Sequence, residues 1–246
     1  YMATTPLDAE VFAEMMPYYT DLRLMGNPGS LNHPLGQEAL KILEISRERL
    51  ASCIHAHPDE IIFTSGATEA NNIAIMGAAH FYSRQGKHVI TAKTEHKAVL
   101  NVFEALEREG FSVSYLVPES DGLISLDNIA QALRPDTILC SFMHVNNEIG
   151  VIQDMASISA LLKSRGVLLH VDAAQSFGPL GTNVADLGVD LMSFSAHKVY
   201  GPKGIGALYI RQKPRVQLKP IFYGGGQEKG LRPGTQALPL IVGMAS

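Results

Sequence analysis

The chain has 246 residues, 46% hydrophobic and 18% charged, and carries a formal net charge of −4. That is the composition of a globular protein with ample apolar material for a core, and the length suits one large α/β domain or two small ones. The mild acidity gives no electrostatic case for nucleic acid or membrane partners, no apolar run is long enough for a transmembrane helix, and the opening "YMATTPLDAE" lacks the order of a secretion signal.

Apolar periodicity predicts helices over about 8–20 and 34–55. The first strand follows as "EIIFT" (60–64), then a helix over 67–82, and "KHVIT" (87–91) with a helix over 96–109. "SVSYL" (112–116), a helix over 125–133, "TILCSFM" (137–143) and a helix over 154–165 continue the alternation. "VLLHV" (167–171), "DLMSF" (190–194) and "GALYI" (206–210) complete a set of about seven strands. Near-continuous apolar strands alternating with amphipathic helices predict an α/β fold, a mostly parallel sheet with helices on both faces. The stretch "GGGQEKGLRPGT" (224–235) reads as a mobile surface loop. A new apolar segment begins at "PLIVGMAS", and the first residue is Tyr1, so the chain is expected to be a fragment.

Of the two cysteines, Cys140 lies inside the strand "DTILCSFMHV" and reads as a small buried hydrophobe. Cys53 closes the long helical pattern and also reads as structural. Neither belongs to a CxxC pair, so neither a metal site nor a redox dithiol is expected, and the usage fits a reducing compartment.

In a parallel sheet ligands bind beyond the carboxyl ends of the strands. Five strands are followed there by polar clusters: Ser65-Gly66-Ala67-Thr68-Glu69, Thr94-Glu95-His96, His144-Val145-Asn146-Asn147-Glu148, Asp172-Ala173-Ala174-Gln175 and Ser195-Ala196-His197-Lys198. The first has small residues at a helix start, which lets an anion approach free backbone N–H groups; a simple N-cap is the alternative. It matches neither a Walker loop nor a GxGxxG loop. Asp172 ends a buried strand and needs a cation, such as a protonated pyridine nitrogen, or good hydrogen bonds. Lys198, where a strand meets a glycine-rich bend, either reaches water or bonds covalently to a carbonyl carbon. A covalent lysine, an acid for a ring nitrogen and a phosphate cup are together what pyridoxal 5′-phosphate (PLP) requires.

"ATTPLD", "TSGATEANN", "TEHKAVL", "MHVNNEIG", "HVDAAQS" and "SFSAHKVYGPKGIGALYIR" together resemble cysteine desulfurases of the iron–sulfur assembly type, in the class V branch of fold type I PLP enzymes. The resemblance covers essentially the whole chain and implies that residues 1–246 form the PLP-binding large domain. It further implies that Lys198 bonds PLP and moves the substrate Cα proton, and that Asp172 bonds the pyridine nitrogen. Gln175 and Asn147 would approach the ring oxygen, and His96 would stack on the ring and transfer protons. Ala67, Thr68, Ser195 and His197 would hold the phosphate, with Thr235 reaching the phosphate of a neighbouring subunit in a homodimer. L-cysteine is the implied substrate, iron–sulfur scaffolds or other sulfur acceptors the implied partners, and the cytoplasm or an organelle matrix the implied location.

The chain departs from the family pattern at its end. A small C-terminal domain carries the family's sulfur-accepting cysteine and a carboxylate-binding arginine, and neither has a match here. On the residues alone, another class V enzyme, such as a selenocysteine lyase or an aminotransferase, stays open, as does a PLP-binding scaffold without turnover.

Overall fold

The structure is a computed structural model and describes residues 2–246. In chain order the elements are α1 (Ala9–Met15), α2 (Pro17–Thr20), α3 (Pro34–Cys53), β1 (Ile61–Thr64), α4 (Ala67–Tyr82), β2 (His88–Ala92), α5 (Lys97–Arg108) and β3 (Ser112–Leu116). Then come α6 (Leu126–Ala132), β4 (Thr137–Met143), α7 (Met155–Lys163), β5 (Leu168–Asp172), α8 (Val184–Leu187), β6 (Leu191–Ser195), β7 (Gly206–Ile210) and α9 (Leu238–Ala245).

Seven strands form one sheet in the order β1-β7-β6-β5-β4-β2-β3. Only β7 runs against the rest; it pairs antiparallel with both β1 and β6. The other six therefore share one direction and bring their carboxyl ends to one edge. Strand side chains alternate between two cores. Phe63, Ile90, Phe142, Val171 and Phe194 face α3, α6, α7, α8 and α9. Ile62, Val89, Leu191 and Leu208 face α4 and α5. Both faces are covered, which is why these strands read as continuous apolar runs.

Three sequence expectations are corrected. The helix over 8–20 is two helices, because Pro17 starts a new one at its first position after Met15 ends the old. The segment 224–235 is a pinned connection and not a loose loop. Glu228 is buried and accepts from Arg47 Nη1 and Nη2 (2.8 and 2.9 Å), from the Phe63 N–H (2.8 Å) and from Gln236 Nε2 (2.7 Å). Cys53 is exposed at the end of α3, so it does not pack in the core, whereas Cys140 is buried in β4.

A polar rung crosses the middle of the sheet on the α4 face. The His170 ring lies between Ser141 Oγ (2.8 Å from Nδ1) and Ser193 Oγ (2.9 Å from Nε2). Burial holds the imidazole pKa at about 3. The unfolded chain therefore takes up a proton here between about pH 6.5 and 3 that the folded chain refuses, and stability falls as pH drops through that window. Replacing His170 with Asn should flatten the pH dependence of the unfolding free energy between about pH 6 and 4 by up to ~1.4 kcal/mol per pH unit. Urea titrations across that range check this; an unchanged slope contradicts it.

Candidate functional site

The polar clusters meet at the carboxyl-end edge of the sheet and line one cavity of about 1100 Å³. Its wall includes Ala67, Thr68, His96, Asn147, Asp172, Gln175, Ser195, His197 and Lys198. Of the residues to which the resemblance gives a role, all line this cavity except Thr235, which lies on the exposed stretch before α9.

One end of the cavity is the start of α4. Its N-cap, Gly66, has φ +151°, a conformation that favours glycine, and makes no side-chain cap. A Cβ on Gly66 would meet nothing within 4 Å, and Gly66, Ala67 and Thr68 all line the cavity, so its open space reaches the start of the helix. The first N–H groups of a helix are unsatisfied within it and attract anions. Close packing behind them depends on Gly206 at the start of β7, where a Cβ would sit 2.4 Å from the Phe194 carbonyl oxygen and 2.6 Å from the Gly66 Cα.

The floor is Asp172, the last residue of β5, only 6% exposed. Its Oδ1 accepts from the Ala174 N–H (3.0 Å) and its Oδ2 from Asn71 Nδ2 on α4 (2.8 Å). Burial pushes the carboxyl up; the two hydrogen bonds and the charges of His96 and Lys198 oppose that. Asn71 was not singled out from the sequence. The signal was there, since it occupies the apolar stripe Ala67, Ala70, Asn71, Ala74, Ala78 of α4, where a polar side chain needs a buried partner.

Lys198 sits in the connection from β6 to β7. The N-terminal segment holds this turn. The Thr5 N–H donates to the His197 carbonyl (2.9 Å), Thr4 Oγ1 lies 3.1 Å from His197 Nδ1, and the Tyr200 N–H donates to Thr5 Oγ1 (2.7 Å). Tyr200 has φ +64°, a strained value for a non-glycine residue that these bonds sustain. The Met2 carbonyl accepts from both Lys198 Nζ (2.5 Å) and Gln175 Nε2 (2.9 Å). Burial holds the Lys198 amine below the usual lysine range, and the Asp172 charge opposes that.

His96 is the N-cap of α5, and its Nδ1 accepts from the Ala98 N–H (3.1 Å). That bond puts the ring proton on Nε2 in the neutral tautomer. Glu69, one turn into α4, accepts from the Ser65 N–H and from Arg232 Nε (3.0 Å), which links the helix start to the segment bearing Thr235. Neither cysteine lines the cavity, and burial pushes the Cys140 thiol far above its ordinary range.

These residues fit PLP. Uncapped N–H groups with open space before them suit a phosphate, and a buried carboxylate with two donors suits a protonated ring nitrogen. A lysine with a depressed pKa, facing the same cavity, suits an aldehyde carbon.

The fold and this donor set define an α/β protein with a ligand cavity at the carboxyl edge of the sheet. The profile of the Aminotransferase class-V family matches residues 1–245, and the chain belongs to that family. It is 56% identical over 244 residues to "Cysteine desulfurase IscS" of Haemophilus ducreyi and 57% identical to the protein of that name from Mannheimia succiniciproducens. Each alignment covers 99% of this chain and 60% of the relative, so the chain spans about three fifths of their length. The structure titled "SspA in complex with cysteine" superposes with a TM-score of 0.94 at 44% identity, covering all of this chain and 70% of that one. A "NIFS-LIKE PROTEIN" gives a TM-score of 0.94 at 41% identity, covering 99% and 66%.

The depressed Lys198 pKa can be tested without cofactor. Trace acylation across pH should give Lys198 a midpoint below the ordinary lysine value of about 10.4. Asp172→Asn, by removing the opposing charge, should lower the midpoint further. A midpoint at or above the ordinary value would refute this account of the turn.

Proposed function

We propose that the chain is the PLP-binding large domain of a cysteine desulfurase. In the full-length protein L-cysteine would give L-alanine, with the sulfur passed to an enzyme thiol as a persulfide for iron–sulfur cluster assembly. The observation that carries this reading is the convergence of Lys198, Asp172 and the open start of α4 on one cavity. The 56% identity to a desulfurase and the likeness to a structure holding cysteine favour that substrate over the other class V chemistries. No helix among the described residues is long and apolar enough to cross a membrane; a cytoplasmic location and a homodimer belong to the proposal.

When bound, PLP supplies an aldehyde carbon for the lysine and a ring that accepts electrons from the substrate Cα. The N–H groups at Ala67 and Thr68, with Ser195 and His197, hold the phosphate, and this remote binding energy positions the substrate. Thr235 reaches the phosphate site of a second copy of the chain. Asp172 would keep a proton on the pyridine nitrogen, and Asn147 and Gln175 would approach the ring oxygen. The Lys198 amine takes the Cα proton, its low pKa keeping more of it neutral near pH 7. His96, whose Nδ1 is taken by the Ala98 N–H, would stack on the ring and transfer protons through Nε2. In the overall reaction the C–S bond of L-cysteine breaks, an S–S bond to the accepting thiol forms, and that thiol's proton ends on the product. No outside oxidant or reductant is needed. With Cys140 buried and Cys53 away from the cavity, we place the accepting thiol outside these 246 residues.

The test is made on the full-length protein loaded with PLP and given L-cysteine. Wild type should release alanine and form persulfide in equal amounts. Lys198→Ala should abolish both and lose the borohydride-reducible attachment of the cofactor. Asp172→Asn should slow Cα hydrogen exchange at least about tenfold, the value of one pKa unit at the ring nitrogen. Covalent cofactor in Lys198→Ala, or unchanged exchange in Asp172→Asn, would overturn the assignment.

A further inference from the structure

Beside Asp172 lies a second buried carboxyl that the proposed chemistry does not use. Glu95 belongs to the turn between β2 and α5, next to His96, and is 7% exposed. Its Oε1 accepts from the Met143 N–H at 2.8 Å. Its Oε2 is buried with no hydrogen-bond partner among the described residues. Met143 ends β4 and stands directly opposite Asp172 in the β4–β5 register. On the other side of the same turn, Asn146 Nδ2 donates to the Thr94 carbonyl at 3.0 Å. Residues 94 and 95 are thus both tied to the end of β4 immediately before His96 begins α5.

An ionised carboxylate spreads its charge over two oxygens and needs donors or a cation at both. Among the described residues Glu95 has one donor and no cationic partner. Its electrostatic neighbour is Asp172, a like charge, which already has two donors together with the fields of His96 and Lys198. Two carboxyls at one floor with one set of donors settle unequally, the better-solvated one charged and the other protonated. The ionisable groups whose charges act on these two carboxyls, besides the carboxyls themselves, are His96 at the start of α5 and Lys198 after β6, both through Asp172. Burial pushes Glu95 well above the ordinary carboxyl range; the Met143 N–H opposes this and the Asp172 charge reinforces it.

We propose that Glu95 is a positioning residue that works as a neutral carboxylic acid, anchoring the His96 turn to the end of β4 while leaving the negative charge at this floor to Asp172 alone. The assignment of Asp172 to the ring nitrogen comes from the proposed function; the neutrality of Glu95 stands without it. An aliphatic side chain would leave the Met143 N–H unsatisfied, and an ionised one would place a second negative charge beside Asp172. A protonated acid avoids both.

Difference infrared spectroscopy of the full chain at neutral pH, wild type minus Glu95→Gln, tests the protonation state with or without cofactor. It should show loss of a protonated-carboxyl C=O band and no loss of carboxylate bands. The same variant should bind PLP within about twofold of wild type and leave the pH midpoint of the bound cofactor's absorbance unchanged, because an amide is the neutral isostere. Glu95→Leu, which strands the Met143 N–H, should weaken PLP binding by about tenfold. Loss of carboxylate bands in Glu95→Gln, or a shifted absorbance midpoint, would overturn the proposal. If neither wild type nor variant bound PLP, the functional reading would fail while the infrared result still decided the state of Glu95.

Discussion

A carboxylate at the inner end of a buried strand is the constraint on which this molecule is arranged. Asp172 cannot stay charged there on sheet contacts alone. An amide arrives from α4, a backbone N–H from its own following turn, and positive charge from the β6–β7 turn and the α5 start. Each comes from a different element, so the sheet order and the placement of α4 are tied to satisfying one side chain. The same requirement leaves polar groups converging on the cavity above Asp172.

Strand direction explains why such different groups meet. Six strands point the same way, and each delivers its following loop to one edge, so segments far apart in the chain become neighbours. The groups differ in how they are held. His96 is fixed as a helix cap, Asp172 by burial, and Lys198 by hydrogen bonds from a segment almost two hundred residues earlier. A site built on rigid elements holds its geometry without ligand.

Much of this was legible in the sequence because the signals are local. Seven apolar runs gave the strands to within a residue, since a strand buried on both faces leaves little else to read. The polar clusters could be assigned to one edge once the sheet was taken as parallel. What was not legible depends on distant partners. The glycine-rich stretch 224–235 looks mobile until Glu228 is seen against Arg47, which lies on α3 nearly the whole chain away. Glu95 matters because of what it faces, which local spacing does not record, whereas the place of Asn71 in the apolar stripe of α4 calls for a buried partner without saying which. Cys53 reads as packed because it ends an amphipathic helix, but it stands on the exposed side of the last turn of that helix.

The reversed strand β7 has a mechanical consequence. After β1, β2, β4 and β5 the chain leaves the cavity edge for other elements, so those loops can shift at one end. The turn carrying Lys198 returns at once into β7, and its two ends, Ser195 and Gly206, face each other across the antiparallel pair. The lysine therefore rides on a closed ring of backbone whose base is part of the sheet. Letting that arm swing freely would require unzipping β6 from β7 inside the sheet, so the amides of that ladder should open to solvent only with the slowest cooperative unit of the fold.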